Sequence, residues 1–181
     1  MTILNDSNPY PEQLITQYKL PDDTFVLIRP ARKTDADILK EFSRNLSNEL
    51  KHLNYMESFK EFPVNMVERL TQIDYKKTMT LLAIYQLNKK ETVVGMVHYI
   101  TDQNGQNCEF DMIVSDTWQN KGIGTVLTES LINCAKDNGI KTIKIIILAA
   151  NLGGIMLAKH FGFIISHSDD PTVVIVTKKL D

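Results

Sequence analysis

The chain has 181 residues, 43% of them hydrophobic and 23% charged, with a formal net charge of −2. That is enough chain for one globular domain with a real core, and the near-neutral charge excludes a general pull toward nucleic acid or anionic membrane. No apolar run reaches the about 18 residues of a membrane span, no signal-peptide core opens the chain, and Cys108 and Cys134 lie outside any CxxC or metal-type spacing. They read as free thiols of a reducing, cytoplasmic compartment. The histidines at 52, 98, 160 and 167 are scattered and indicate no metal site.

Residues 1–22 are polar, carry three prolines and read as a tail with at most one docked turn. Thr24–Pro30 is a first strand, ended by its proline. A helix follows, with Thr34 at its N-cap, Asp35 and Asp37 in its first turn, and Ile38, Leu39, Phe42 and Leu46 as its apolar stripe. A second helix fits Val64, Met66, Val67 and Leu70. Three strands come next, at 79–86, 92–101 and 108–114. Asn104-Gly105 between the last two signals a two-residue type I′ turn. That turn would set Ile100 opposite Glu109 and His98 opposite Asp111, so that Glu109, Asp111 and His98 share one face.

A helix from Gly122 to Asn138 repeats Val126, Leu127, Leu131, Cys134 and Ala135 at helical spacing and stops at Gly139. The β-branched run "KTIKIIILAA" is a central strand, "GGIMLAKHFGF" a short helix and "VVIVTKK" a closing strand. The order predicts an α+β (mixed α/β) domain over 23–181, with helices on both faces of one mostly antiparallel sheet.

The glycines before the long helix ask for a ligand. A P-loop pattern is absent, and Gly122-Ile123-Gly124-Thr125-Val126-Leu127 lacks the third glycine of a dinucleotide fingerprint. What remains is Gln119-Asn120-Lys121-Gly122-Ile123-Gly124, a Q-x-x-G-x-G loop whose main-chain N–H groups can wrap a pyrophosphate, with Lys121 adding positive charge. A merely tight strand-to-helix turn is the competing reading of the loop by itself.

That loop between an antiparallel strand and an amphipathic helix, then a strand leading to Asn151, then a helix closing on Gly162-Phe163, resembles the GNAT superfamily of N-acetyltransferases. The resemblance implies acetyl-CoA as co-substrate. It implies the pyrophosphate on the amides of Gln119, Asn120, Lys121, Gly122, Ile123, Gly124 and Thr125. It implies the pantetheine arm between Met112, Ile113 and Val114 on one strand and Leu148 and Ala149 on the next, touching Asn151. A narrower likeness, carried by "CEFDMIVSDTWQNKGIG" and "GIMLAKHFGF", is to the acetyltransferase domain of bacterial Pat-type protein lysine acetyltransferases. It implies a protein lysine as acceptor, as on an acyl-CoA synthetase, in a single-domain form.

An amine must be neutral to attack a thioester, and for lysine at pH 7 that costs about 4–5 kcal/mol. Glu109 stands where the Pat-type enzymes carry a glutamate base. Amid Phe110, Met112, Ile113 and Val114 it is expected to be partly desolvated and therefore a better base. Asp111, where those enzymes more often have a small apolar residue, reads as a second acid holding the ammonium with His98 as its partner, or as half of a structural His–Asp pair. Ala158 stands where many GNAT enzymes place a general-acid tyrosine. Alternatives within the same fold are a small-molecule amine acetyltransferase and a non-catalytic acetyl-CoA sensor.

Overall fold

The computed structural model describes residues 8–55 and 59–181. Strands β1 (Thr16–Lys19) and β2 (Phe25–Pro30) lead into helices α1 (Ala36–Arg44), α2 (Asn48–Tyr55) and α3 (Val64–Thr71). Strands β3 (Thr78–Leu87), β4 (Lys90–Thr101) and β5 (Asn107–Val114) form a meander. Then come α4 (Ile123–Asp137), β6 (Thr142–Leu148), α5 (Leu152–His160), β7 (Ile164–His167) and β8 (Val173–Lys179). All eight strands join one sheet in the order β1-β2-β3-β4-β5-β6-β8-β7. Only β5–β6 is parallel.

Each face of the sheet carries its own core. Val97, Tyr99, Phe110 and Leu127 belong to the core on the α4 side. Met96, Ile113, Leu39 and Leu70 belong to the core on the α1/α3 side. β4 is buried without interruption from Val93 to Tyr99 because both its faces are covered. α4 approaches β4 closely at Gly95, where a Cβ would lie 3.1 Å from both Ile123 Cγ2 and Leu127 Cδ1. A register shift at Ala83/Ile84 of β3 sits opposite. At its other end α4 stops as the sequence suggests. Gly139 has φ +76°, and the N–H groups of Gly139 and Ile140 donate to Lys136 and Ala135 at 2.9 and 3.0 Å.

Several expectations need correction. Residues 16–19 are not tail: β1 pairs with β2 as an edge strand. Thr34 is not the cap of α1; a 3-10 turn at Lys33–Asp35 precedes it. Asp35 instead turns inward, accepting from Arg29 at 2.7 and 2.9 Å and from the Arg32 N–H at 2.7 Å. α2 and β7 were not foreseen. The β4–β5 register is the expected one, His98↔Asp111 and Ile100↔Glu109, but the turn differs. Gly105 has φ +69° while Asn104 stays out of the left-handed region, and Asp102 closes a longer loop by bonding Asn107 at 2.8 Å. The loop is symmetric about the expected pair, so the register survives. The two-residue turn with positive φ at both positions lies elsewhere, at Asn88 (51°) and Lys89 (66°) between β3 and β4. No helix among the described residues is long and apolar enough to cross a membrane.

Candidate active site

β5 and β6 pair only from Asn107–Glu109 against Thr142–Lys144, and then separate. Main-chain groups alternate sides along a strand. The Ser115 N–H donates to Val94 of β4 at 2.9 Å, so the main-chain groups of Met112 and Val114 face the gap instead. No strand pairs with them there. The Val114 carbonyl accepts from Gln119 Nε2 at 3.2 Å, which anchors the following loop to the strand.

Within that loop Asn120 has φ +59° and Gly122, the N-cap of α4, has φ +90°. Such alternation gathers consecutive N–H groups into a concave nest. Gly122 gives the helix no side-chain cap, and the first helical bond is Val126 N–H to Gly122 O at 3.1 Å. The N–H groups of Ile123, Gly124 and Thr125 therefore lack helical acceptors and suit an anion.

Three adjoining cavities make one passage through the gap. The first, of about 820 Å³, runs along Val114, Gln119, Gly122 and Thr125. The second, of about 590 Å³, lies between the separated strands and shares Asn54, Met112, Asn151 and Leu157 with the first. The third, of about 630 Å³, is bounded by Arg69, His98, Glu109 and Lys144, and shares Phe110, Asp111, Ile145 and Ile146 with the second.

Of the cofactor residues expected from the sequence, Met112, Ile113, Val114, Gln119, Asn120, Gly122, Gly124, Thr125 and Asn151 line the first cavity. Four do not. Ile123 is 1% exposed, its side chain in the core. Leu148 and Ala149 line none of the three cavities. Lys121 turns its ammonium to Asp22, 2.8 Å away, and over the Trp118 ring. Asn151 caps α5, its Oδ1 accepting from the Gly154 N–H at 3.0 Å. Sequence reasoning missed Leu50 and Asn54 of α2 and Arg69 of α3, all cavity-lining. The only trace of α2 was the spacing of Leu50 and Leu53 in a polar stretch.

The acid cluster forms as the register requires: Glu109, Asp111 and His98 line the third cavity together. Their environments reverse the expected contrast. Glu109 is exposed, so the desolvation anticipated for it is absent; its side chain leaves the sheet at the cavity mouth. Asp111 keeps some access through the cavity, yet protein surrounds its carboxyl and Oδ1 is buried without a partner. Burial pushes this carboxyl up to about 6, against the opposing pull of the Arg69 guanidinium. The remaining solvent access tempers that shift without removing its cause. His98, 2% exposed, sets Nδ1 2.9 Å from Thr80 Oγ1. Burial drives its pKa down to about 4, so the ring is neutral near pH 7. Its Nε2 has no partner either, so His98 and Asp111 are strand neighbours without a hydrogen bond between their side chains.

The profile of the Acetyltransferase (GNAT) family matches residues 47–163. The acetyltransferase PA5475 of Pseudomonas aeruginosa is 30% identical over 157 residues, 86% of this chain and 84% of that one. The chain belongs to the acetyltransferase (GNAT) family. The GNAT domain of S. lividans PAT superposes with a TM-score of 0.86 over 95% of this chain and 100% of that one, at 22% identity. The Salmonella typhimurium protein yncA, solved with its cofactor acetyl-CoA, gives 0.67 over 86% and 94%, at 18% identity. At such identities these two speak for the fold. Family membership makes this protein an acetyltransferase that uses acetyl-CoA. The free N–H groups at the start of α4 and the unpaired edge of β5 fit such a co-substrate. Ala158 lines the second cavity, and no described tyrosine does.

Proposed function

We propose that this protein moves the acetyl group of acetyl-CoA to the side-chain amine of a lysine on another protein, by direct attack with both substrates bound. The supporting observation is the pair of buried, unpartnered atoms, Asp111 Oδ1 and His98 Nε2, in a cavity that opens into the inter-strand gap. Buried polar atoms normally find partners, and a primary amine brings several N–H donors. Apolar walls from Ile100, Phe110 and Ile145 suit the methylene stem of a lysine.

In this reading the α4 N-terminus and the Gln119–Thr125 amides hold the pyrophosphate, while Met112, Val114 and the Asn151 amide align the pantetheine. Acetyl-CoA supplies an activated acyl carbon whose C–S bond is exchanged for C–N, the sulfur leaving with the bonding pair as coenzyme A thiolate, which takes its proton from water. Asp111, at the junction of the second and third cavities, takes the proton the amine must lose. Glu109, at the mouth, draws the ammonium inward and relays the proton to water. This reverses the division of labour implied by the Pat-type likeness, and what supports it is burial: Asp111 is held where proton affinity is raised toward neutrality, while Glu109 lies exposed at the mouth.

The test is incubation of the purified protein with isotopically labelled acetyl-CoA and either lysine-containing proteins or small alkylamines, followed by mass spectrometry. Labelled N-ε-acetyl-lysine at a few discrete sites is the expected result. Fast labelling of small amines with no protein labelling would overturn the protein-lysine assignment and leave the acetyltransferase chemistry standing.

A further inference from the structure

The third cavity carries charges that a bare alkylamine does not require. Asp111 lies on its floor, Ile100 and Ile146, 41% and 56% exposed, flank it, and Arg69 and Lys144 stand at its rim. Among the described residues neither cation forms an ion pair. Lys144 is the register partner of Glu109 across β5–β6, yet the two make no salt bridge. Arg69 lies close enough for its charge to act on Asp111, His98 and Tyr55 together. A lysine ammonium entering here passes two cations, which Glu109 at the mouth offsets only in part, before it reaches the buried carboxylate. Each repels it by about 1 kcal/mol at 4 Å in water, unless the incoming segment brings anions of its own.

We propose that the acceptor lysine sits in an acidic stretch of its protein, with neighbouring Asp or Glu carboxylates that meet Arg69 and Lys144 at the cavity rim. The inference rests on the protein-lysine reading above and narrows it from any lysine to one in an anionic context. Arg69 is the stronger determinant, because its planar fork can take a carboxylate through two hydrogen bonds. The exposed Ile100 and Ile146 supply the apolar bed on which a passing chain lies while its lysine descends. A free amino acid taken at its α-amine would place its carboxylate inside the cavity, whereas both cations are exposed at its edge.

Three peptides test this, each with one central lysine flanked by glutamates, glutamines or N-ε-trimethylated lysines, which cannot themselves be acetylated. The readout is the ratio of kcat/KM for the acidic to the basic peptide, which cancels any general loss of activity in a variant. The wild type is expected to prefer the acidic peptide about tenfold at low salt, mainly through KM, with the preference shrinking as salt screens the rim. In Arg69→Gln/Lys144→Gln the ratio should fall at least fivefold; Arg69→Lys should keep the part that charge alone supplies and lose the part that the fork supplies, and Arg69→Glu should invert it. A flat ratio in the wild type, or a preference that survives the double variant, overturns this inference alone. Absence of turnover on all three peptides by protein that still acetylates small alkylamines overturns the protein-lysine reading, and this inference falls with it.

Discussion

The two ends of the passage are built from different material. In the proposed reading the donor end is main chain: free N–H groups of Ile123 to Thr125, a nest formed by Asn120 and Gly122, and the unpaired edge of Met112 and Val114. The acceptor end is side chain: Asp111 and Glu109 from β5, His98 from β4, Lys144 from β6 and Arg69 from α3. Main-chain geometry constrains residue type, since a φ of +90° is open to glycine and strained for almost anything else. A co-substrate held this way is fixed by the fold. An acceptor held by side chains from four elements can change while the fold does not.

The largest expected effect probes the acceptor end. Asp111→Asn keeps size and hydrogen bonding but cannot take a proton, so kcat/KM should fall roughly 10²–10⁴-fold near neutral pH. Acetyl-CoA affinity by calorimetry should stay within about twofold if the two ends are separable. The wild-type pH–rate profile should rise through about 6, where burial has moved this carboxyl, and that limb should vanish in the variant. Glu109→Gln should cost less, about tenfold, as an entry group in water. The opposite ranking would return the base to Glu109.

The donor end gives the next largest effect. A Cβ at Gly124 would lie 3.5 Å from both Met112 Cε and Leu157 Cδ2, an ordinary contact, so the fold accepts one. The added bulk of Gly124→Val would occupy the wall along which the proposed main-chain contacts to the co-substrate run. Acetyl-CoA affinity should drop tenfold or more, about 1.4 kcal/mol, with the thermal midpoint little changed. An unchanged dissociation constant would show that the ligand does not approach this helix start.

Stability offers a smaller, independent reading of Asp111. Its carboxyl is protonated more readily in the fold than in the unfolded chain, where its ordinary value is 3.8. The folded state therefore binds more protons between about 4 and 6, and this group's contribution to stability is lost as pH rises through that window. Asp111→Asn should then be more stable than wild type at pH 7 by about 1–3 kcal/mol, with the gain gone near pH 4. His98 runs the other way, since its pKa is driven down to about 4 and its contribution is lost as pH falls. Wild type by itself will show little net slope; the difference between wild type and variant in urea unfolding isolates Asp111. No gain at pH 7 would mean that the carboxylate is better solvated than its packing implies.

The same contrast explains what the sequence made legible. The loop, the α4 helix and the β4–β5 register were readable because each follows from local rules: a glycine pattern, a 3.6-residue period and a strand alternation. β1 escaped because a four-residue edge strand in a proline-bearing segment has too short a pattern to detect. α2 escaped because its few apolar residues, Leu50, Leu53 and Tyr55, are scattered in a polar stretch, and only Lys51 on it is fully buried. Glu109 was expected to be desolvated by its apolar neighbours in sequence, but alternation sends Phe110 and Met112 to the opposite face. Arg69 could not be placed at all, since its role arises only when α3 packs on the sheet and this side chain reaches a cavity lined by β4 and β5.

Lys121 supplies the smallest effect and the finest test of the contrast. Sequence reasoning gives it a place in the pyrophosphate site, yet its ammonium lies 2.8 Å from Asp22 at the β1–β2 turn, with both side chains partly exposed. The pair holds the Asp22 carboxyl down at about 2. An exposed pair of this kind contributes little and is screened by salt. Binding of a pyrophosphate must compete with Asp22 for the same ammonium. Lys121→Ala should therefore weaken acetyl-CoA by less than about fivefold at physiological salt, well below Gly124→Val. Asp22→Asn, which frees the ammonium, should tighten it slightly, and more so at low salt. Should Lys121→Ala instead cost as much as the glycine substitution, the donor end would depend on a side-chain charge as heavily as on its amides, and the division between a main-chain half and a side-chain half would fail there.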